Sequence, residues 1–233
     1  MTGPWDERAS IAEAAYLGDP DRGTAEPRLF AEWAIGRVKK FAGVRDVVEL
    51  GCGPGRDSGR LALEGFRVQG VDFSPTAIER ALAWQRSLRE PYRSRLSFVQ
   101  GEALQFLEGR PPASADVVLA NVVYGTWTDP EIERLSGLLY RLLRPGGFHL
   151  FAVRHASDPN AGKGSRVGPH TYLGGPHDIA YRYYTVDELE DRMGPKFERL
   201  ETLFTKESHL LFALDRRRKF GGAVSESAPQ GGG

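Results

Sequence analysis

The chain reads as an α/β domain built on a mostly parallel sheet with helices on both faces, and three observations predict this. Short apolar runs alternate with helical spacings of apolar residues over most of its length. Such alternation imposes right-handed crossovers and a parallel sheet covered on both sides. Residues 47–58, VVELGCGPGRDS, run from a strand through glycines at alternate positions, Gly51, Gly53 and Gly55, into a helix start. Glycine suits that turn because its backbone angles exclude a Cβ and because a ligand can then lie against bare main chain. Two extended runs, 197–205 and 209–215, are joined by a short polar turn and close the pattern as a hairpin.

Size and charge narrow the function. At 233 residues the chain fits one α/β core, and an apolar fraction of 40% is enough to fill it. Thirty-one basic residues balance thirty-one acidic ones, so no global field draws the protein to nucleic acid or to an anionic membrane. A small uncharged or zwitterionic partner is expected, with a monomer or homodimer as the assembly. Cys52 is the only cysteine; it reads as a small residue filling the glycine turn, and the lack of a disulfide framework suits a cytoplasmic location. The first ten residues, MTGPWDERAS, carry acids and no apolar core, unlike a signal peptide.

In chain order, residues 6–17 and 27–41 have helical spacing and precede the first strand. Residues 1–43 are therefore expected to form a helical lid, with Trp5, Tyr16, Phe30 and Trp33 packing it onto the domain. The domain proper is placed at 44–220. Within it, a helix at 56–64 is closed by Gly65, and a second strand at 66–71 ends at Asp72. Ser74 and Pro75 cap a helix that runs to 90. A third strand at 96–100 ends at Gly101 and Glu102, and a fourth at 116–120 ends at Asn121. A helix at 130–143 and the turn RPGG lead to a fifth strand at 148–153. Residues 154–182 are rich in Gly, Pro, His and Asn and read as a long functional loop. A short helix at 186–192 precedes the hairpin, and residues 221–233 read as a disordered tail.

A parallel sheet of this kind binds ligands beyond the carboxyl ends of its strands. Glu49, Asp72, Glu102 and Asn121 each stand at such an end, so the pattern delivers them to one rim. A dinucleotide would need glycines spaced G-x-G-x-x-G, but Arg56 or Ser58 occupies the third position in the two possible registers. An acid at Glu49 would also oppose a pyrophosphate and suits an ammonium or sulfonium centre better. Asp72 can accept hydrogen bonds from ribose hydroxyls, and Glu102 or the main chain of Ala103 can address an adenine edge with Phe73 against its face.

E-x-G-x-G-x-G at 49–55, Asp72 after VQGV, G-E-A at 101–103, the strand ADVVLAN, the helix leading to LRPGG and the closing hairpin together resemble a class I S-adenosylmethionine-dependent methyltransferase. The resemblance covers residues 44–216. It implies a Rossmann-like three-layer sandwich whose seven-stranded sheet is mostly parallel, with one antiparallel strand. It also implies S-adenosyl-L-methionine as cofactor: Glu49, Gly51, Cys52, Gly53 and Gly55 at its methionine end, Asp72 at the ribose, Phe73, Glu102 and Ala103 at the adenine, and Asn121 over the sulfonium. GCGPGRDS, Tyr124 after strand four, the stretch VRHASDPNAGKG and the later YRYYTVDEL are similar to the tellurite-resistance-type methyltransferases, which implies Arg56 facing the methionine carboxylate.

Methyl transfer from a sulfonium is an in-line displacement, and a general base is needed only if the acceptor must lose a proton. His155, at the end of strand five, is the leading candidate, and Tyr124 is assigned beside it. Trp127, His170, Tyr172 and His177 are assigned to the acceptor, which could be oxygen, nitrogen, sulfur or another chalcogen. His149 and His209 read as structural. Two other readings stay open. The chain could be a cofactor-binding module without turnover, or an amino methyltransferase acting on a planar nitrogen, since Asn121 and Tyr124 are the outer residues of an N-P-P-Y motif whose prolines are replaced by Val122 and Val123. No metal is expected.

Overall fold

The computed structural model describes residues 29–174, 177–190 and 193–219, together with Ser10, Glu13 and Ala14. In order they form α1 (Leu29–Val38), β1 (Asp46–Leu50), α2 (Arg56–Leu63), β2 (Arg67–Asp72), α3 (Pro75–Ser87), β3 (Leu96–Gln100), α4 (Ala103–Glu108), β4 (Ala115–Asn121), α5 (Asp129–Leu142) and β5 (Leu143–Arg154). Then follow β6 (Ser165–Gly168), β7 (Thr171–Gly174), β8 (His177–Arg182), α6 (Val186–Glu190), β9 (Phe197–Thr205) and β10 (Leu210–Arg217).

Seven strands form one sheet in the order β3-β2-β1-β4-β5-β10-β9. The pairs from β3 to β5 are parallel, and β10 runs antiparallel to both β5 and β9. The expected single antiparallel strand is thus the last one, inserted between β5 and β9. Successive residues face opposite sides of the sheet, and the core divides accordingly. Val47, Leu119, Leu150 and Phe212 pack with α1 and α2 on one face, while Val48, Val118, Phe151 and Leu211 pack with α4 and α5 on the other. The layers are helix, sheet and helix, as predicted.

Several expectations are refined. α1 is built into the helical layer: Phe30 and Trp33 are buried against Phe212, with ring centroids 5.5 and 5.3 Å from it. Glu201 on β9 accepts hydrogen bonds from Trp33 Nε1 at 3.1 Å and Arg37 Nε at 3.0 Å. Trp5 and Tyr16 lie outside the described residues, as does the tail at 221–233. The stretch 154–182 is not a plain loop, because β6, β7 and β8 form a separate antiparallel sheet. Its strands are short and its glycines frequent, so apolar alternation hardly registers there. α4 was also unforeseen. It spans six residues and is started by Glu102, whose carboxylate accepts from Leu104 N and Gln105 N, each at 2.7 Å.

Candidate functional site

The carboxyl ends of β1, β2 and β4 meet at the glycine turn. Gly51, Gly53 and Gly55 all adopt positive φ, at 64°, 55° and 82°. A side chain at Gly51 would put its Cβ 2.6 Å from Val123 Cγ2, and one at Gly55 would meet Phe98 Cζ at 2.5 Å. The turn is therefore required twice over, by backbone angle and by close approach. It is pinned to its neighbour strand by Cys52 N donating to Val71 O at 3.1 Å, and by Gly53 N donating to Asp72 Oδ2 at 2.8 Å. Asp72 Oδ1 accepts from Ser74 N at 2.9 Å, so this buried carboxylate holds the first two strand ends in register.

Beside it, Glu49 is buried and accepts a short hydrogen bond from Ser58 Oγ. Asp57, also buried, accepts from Asn121 Nδ2 at 2.8 Å and pairs with Arg56 Nε at 3.3 Å. Burial pushes the Glu49 carboxyl well above its ordinary range, and the Asp57 charge adds to the effect. Burial likewise raises Asp72, and it raises the Cys52 thiol well above its usual value, helped by Glu49. Asn121 Oδ1 is buried with no hydrogen-bond partner among the described residues. Three acids and an unpaired amide oxygen thus surround the turn. That donor set fits a ligand bearing positive charge, which would relieve the crowded carboxylates.

Glu13, from the N-terminal segment, also reaches this rim. It accepts from Ser74 Oγ at 2.5 Å and from Thr76 N at 3.3 Å, at the start of α3. No local pattern marks a residue that far from the strands it meets. Asp57 and Ser58, by contrast, sit inside the glycine motif and could have been read from the helix periodicity that turns them inward. Phe73 is partly exposed next to Asp72 and Ala103 is buried at the start of α4. Glu102 is partly exposed and caps α4, each carboxylate oxygen accepting one main-chain N–H, as the two oxygens of Asp72 do at the glycine turn.

The remaining candidates separate into two groups. Tyr124, assigned to catalysis, turns into the core instead: it is 1% exposed and its hydroxyl lies 2.8 Å from His149 Nε2. Its carbonyl accepts from Tyr184 Oη at 3.1 Å. The phenol is therefore a buried brace for the segment after β4, placed there because a tyrosine needs a partner when its ring is buried. His149 is wholly buried, and burial, with Arg199 nearby, pulls it down to about 3, so it stays neutral. Trp127 is buried edge-on to Tyr124 at 5.2 Å and lines a cavity of about 600 Å³ between Gly125–Asp129 and the β6–β8 sheet. No residue of the glycine turn lines that cavity.

His155 stands just beyond β5. Its Nδ1 is 2.8 Å from Ser157 Oγ and accepts from Ser157 N at 3.1 Å, while its ring lies 4.4 Å from Phe204. Burial lowers its affinity for a proton, and so do His209 and His170. His170 Nδ1 is 3.1 Å from both carboxylate oxygens of Glu188. Tyr172, on β7, is partly exposed with its ring centroid 6.2 Å from Tyr183, and His177 opens β8. The structure therefore gathers Glu49, Gly51, Cys52, Gly53, Gly55, Arg56, Asp72 and Asn121 at one place. It does not bring Tyr124, His170 or Tyr172 to them by any described contact.

Comparison with known proteins agrees with this geometry. Residues 47–147 match the family model described as a methyltransferase domain. Phosphoethanolamine N-methyltransferase 1 of Triticum aestivum is 29% identical over 165 residues, covering 69% of this chain and 31% of the relative. The tRNA N(3)-methylcytidine methyltransferase trm140 of Schizosaccharomyces pombe is 26% identical over 168 residues, covering 69% of this chain and 54% of the relative. The chain thus spans about a third to a half of these curated relatives. Among solved structures, the Burkholderia thailandensis 1,6-didemethyltoxoflavin-N1-methyltransferase, with 1,6-didemethyltoxoflavin and S-adenosylhomocysteine bound, superposes with a TM-score of 0.68 at 21% identity, covering 94% of this chain and 92% of that one. The fold is the Rossmann-like methyltransferase fold.

Proposed function

We propose, starting from the methyltransferase domain at residues 47–147, that the protein transfers a methyl group from S-adenosyl-L-methionine to a small-molecule acceptor. The observation that carries this reading is the ring of buried acids, Glu49, Asp57 and Asp72, set around a glycine turn beside the orphaned Asn121 amide oxygen. When bound, the cofactor supplies an electrophilic methyl on a cationic sulfur. Glu49 and the glycine turn hold the methionine end, with Arg56 toward its carboxylate. Asp72 holds the ribose, Phe73 and the Ala103 main chain the adenine, and Asn121 lies nearest the sulfonium. Their work is to fix the methyl so that an acceptor's lone pair can approach it to about 3 Å in a site that excludes water.

The acceptor side is assigned to the segment after β4 and to the end of β5 with the β6–β8 sheet, and the tellurite-resistance-type affinity belongs to the same proposal. The balanced overall charge favours a small acceptor over nucleic acid. Calorimetry with S-adenosylhomocysteine and with NAD tests the cofactor. Binding of the sulfur nucleoside alone is expected, and binding of NAD alone would overturn the reading. Product formation across an acceptor panel then separates an enzyme from a binding module.

A further inference from the structure

Asp57 bridges two elements that meet at the glycine turn. It is the second residue of α2, follows Gly55 by two places and is 4% exposed. An acid in the first turn of a helix is favoured by the helix dipole and ordinarily faces water. Asp57 instead turns inward and meets the end of β4. Its Oδ2 accepts from Asn121 Nδ2 at 2.8 Å, and its Oδ1 pairs with Arg56 Nε at 3.3 Å.

The main chain at Asn121 is already fixed. Asn121 pairs with Ala152 on β5, and the next residue, Val122, takes φ 60° with its N–H donating to Ala152 O at 2.9 Å. A β-branched residue enters that left-handed region only where its surroundings hold it there. The freedom that remains is in the side-chain amide, whose donor and acceptor ends have nearly the same shape. Asp57 tells them apart. A carboxylate only accepts, so the amide nitrogen faces it, and the reverse placement would set two acceptors 2.8 Å from each other. The amide oxygen is thereby directed away from Asp57. It is the same atom that is buried with no hydrogen-bond partner among the described residues. An acceptor buried in that state costs free energy, which a ligand bringing a donor or a cation recovers.

We infer that Asp57 is a positioning residue, which sets the Asn121 amide so that its oxygen receives a cationic group of the bound ligand. The inference rests on the methyltransferase reading and gives Asn121 a direction within it. S-adenosyl-L-methionine carries two such groups, the methionine ammonium and the sulfonium, and either suits an amide oxygen. Without the carboxylate the amide can turn over and offer N–H groups to the cation, which repels them. The charge of Asp57 also acts on the buried Glu49 beside it, so direction and charge have to be separated.

Two substitutions separate them. Asp57→Ala removes the oxygen and the charge together, whereas Asp57→Asn removes the charge and keeps an oxygen for the Asn121 nitrogen. Calorimetry of the full chain with three nucleosides supplies the readout. Methylthioadenosine has neither cationic group, S-adenosylhomocysteine has the ammonium, and S-adenosyl-L-methionine has both. Asp57→Ala should leave methylthioadenosine within about 2-fold and weaken a cationic ligand by about 10-fold or more. A loss already present with S-adenosylhomocysteine assigns the oxygen to the ammonium; a loss confined to S-adenosyl-L-methionine assigns it to the sulfonium. Asp57→Asn should stay within about 3-fold of the parent protein for all three.

Equal weakening of all three nucleosides by Asp57→Ala, or of none, would reduce Asp57 to a structural support. Asp57→Asn as weak as Asp57→Ala would make charge, not direction, its contribution. Either result overturns the inference. The amide is also read by NMR in the unliganded parent protein, so a variant that fails to fold leaves the test standing. The two Asn121 side-chain protons should be widely split and slow to exchange, and a narrow, fast-exchanging pair would overturn the inference as well. If the parent protein binds none of the three nucleosides, the methyltransferase reading fails, while the amide resonances still report the direction of Asn121.

Discussion

The rim has two halves of different character. Around β1, β2 and β4 the polar groups are buried and acidic: Glu49, 3% exposed, is held by the Ser58 hydroxyl, and Asp72, 7% exposed, by two main-chain N–H groups. Around β5 and β10 they are partly exposed, include two histidines and a serine, and are held by main-chain and side-chain contacts together. The first half is preorganised at a cost, because clustered buried carboxylates oppose folding. The second is less enclosed, as suits the acceptor side proposed above. Rigidity marks what is common to a fold, and looser construction marks what distinguishes one member from another.

The largest expected effect breaks the rigid half. Asp72→Ala removes the acceptor for Gly53 N and Ser74 N, and with it the ribose contact proposed above. Hydrogen bonds to a charged group are worth about 1.5–3 kcal/mol each. Affinity for S-adenosylhomocysteine should therefore fall by about 100-fold or more by calorimetry, and an unchanged affinity would move the nucleoside elsewhere. Next is Tyr124→Phe. It leaves His149 Nε2 buried without a partner, at a cost of about 1–3 kcal/mol in stability by denaturant titration. The rate per folded molecule should barely change; a large loss of rate at full stability would return Tyr124 to the chemistry.

Glu49→Gln sharpens the contrast from the other side. Because the folded protein raises the Glu49 carboxyl, the stability linked to that group is complete below its ordinary value of 4.5 and is lost as pH rises through the folded value. The charged form of this buried group is a burden on the unliganded protein. The glutamine variant should melt a few degrees higher, at about 2–4 °C per kcal/mol for a domain of this size, and bind the cofactor more weakly. A lower melting temperature would show that Glu49 stabilises the empty rim after all. The smallest effect is expected on the less enclosed side. Asp129 is largely exposed where it pairs with Arg182 at 2.5 Å, so Asp129→Ala should cost less than about 1 kcal/mol.

How much of this was legible depends on the range of the interactions involved. Glu49, the glycines, Asp72 and Asn121 could be read because each stands at the end of an apolar run, and strand ends in a parallel sheet share an edge. The hairpin of β9 and β10 could be read for the same local reason. The sheet β6–β8 could not, since its short strands carry little apolar alternation. Tyr124 was misplaced because residue type does not say which way a ring turns after a strand; the partner that draws it inward, His149, belongs to another strand. The contact of His209 with Ser157, 52 positions away in sequence, has no local signature either. Glu13 had no local signature at all.

The glycine turn also has a practical consequence. It contains the only cysteine of the chain, and Cys52 is 6% exposed with its thiol pushed toward the protonated form. Alkylating reagents attack thiolates, so they should pass this residue by near neutral pH. The natural protein is then already a background-free host for a single introduced label. A cysteine at Val167, 55% exposed on β6 and lining the cavity beside Trp127, would carry a fluorophore to that cavity without any prior removal of native thiols.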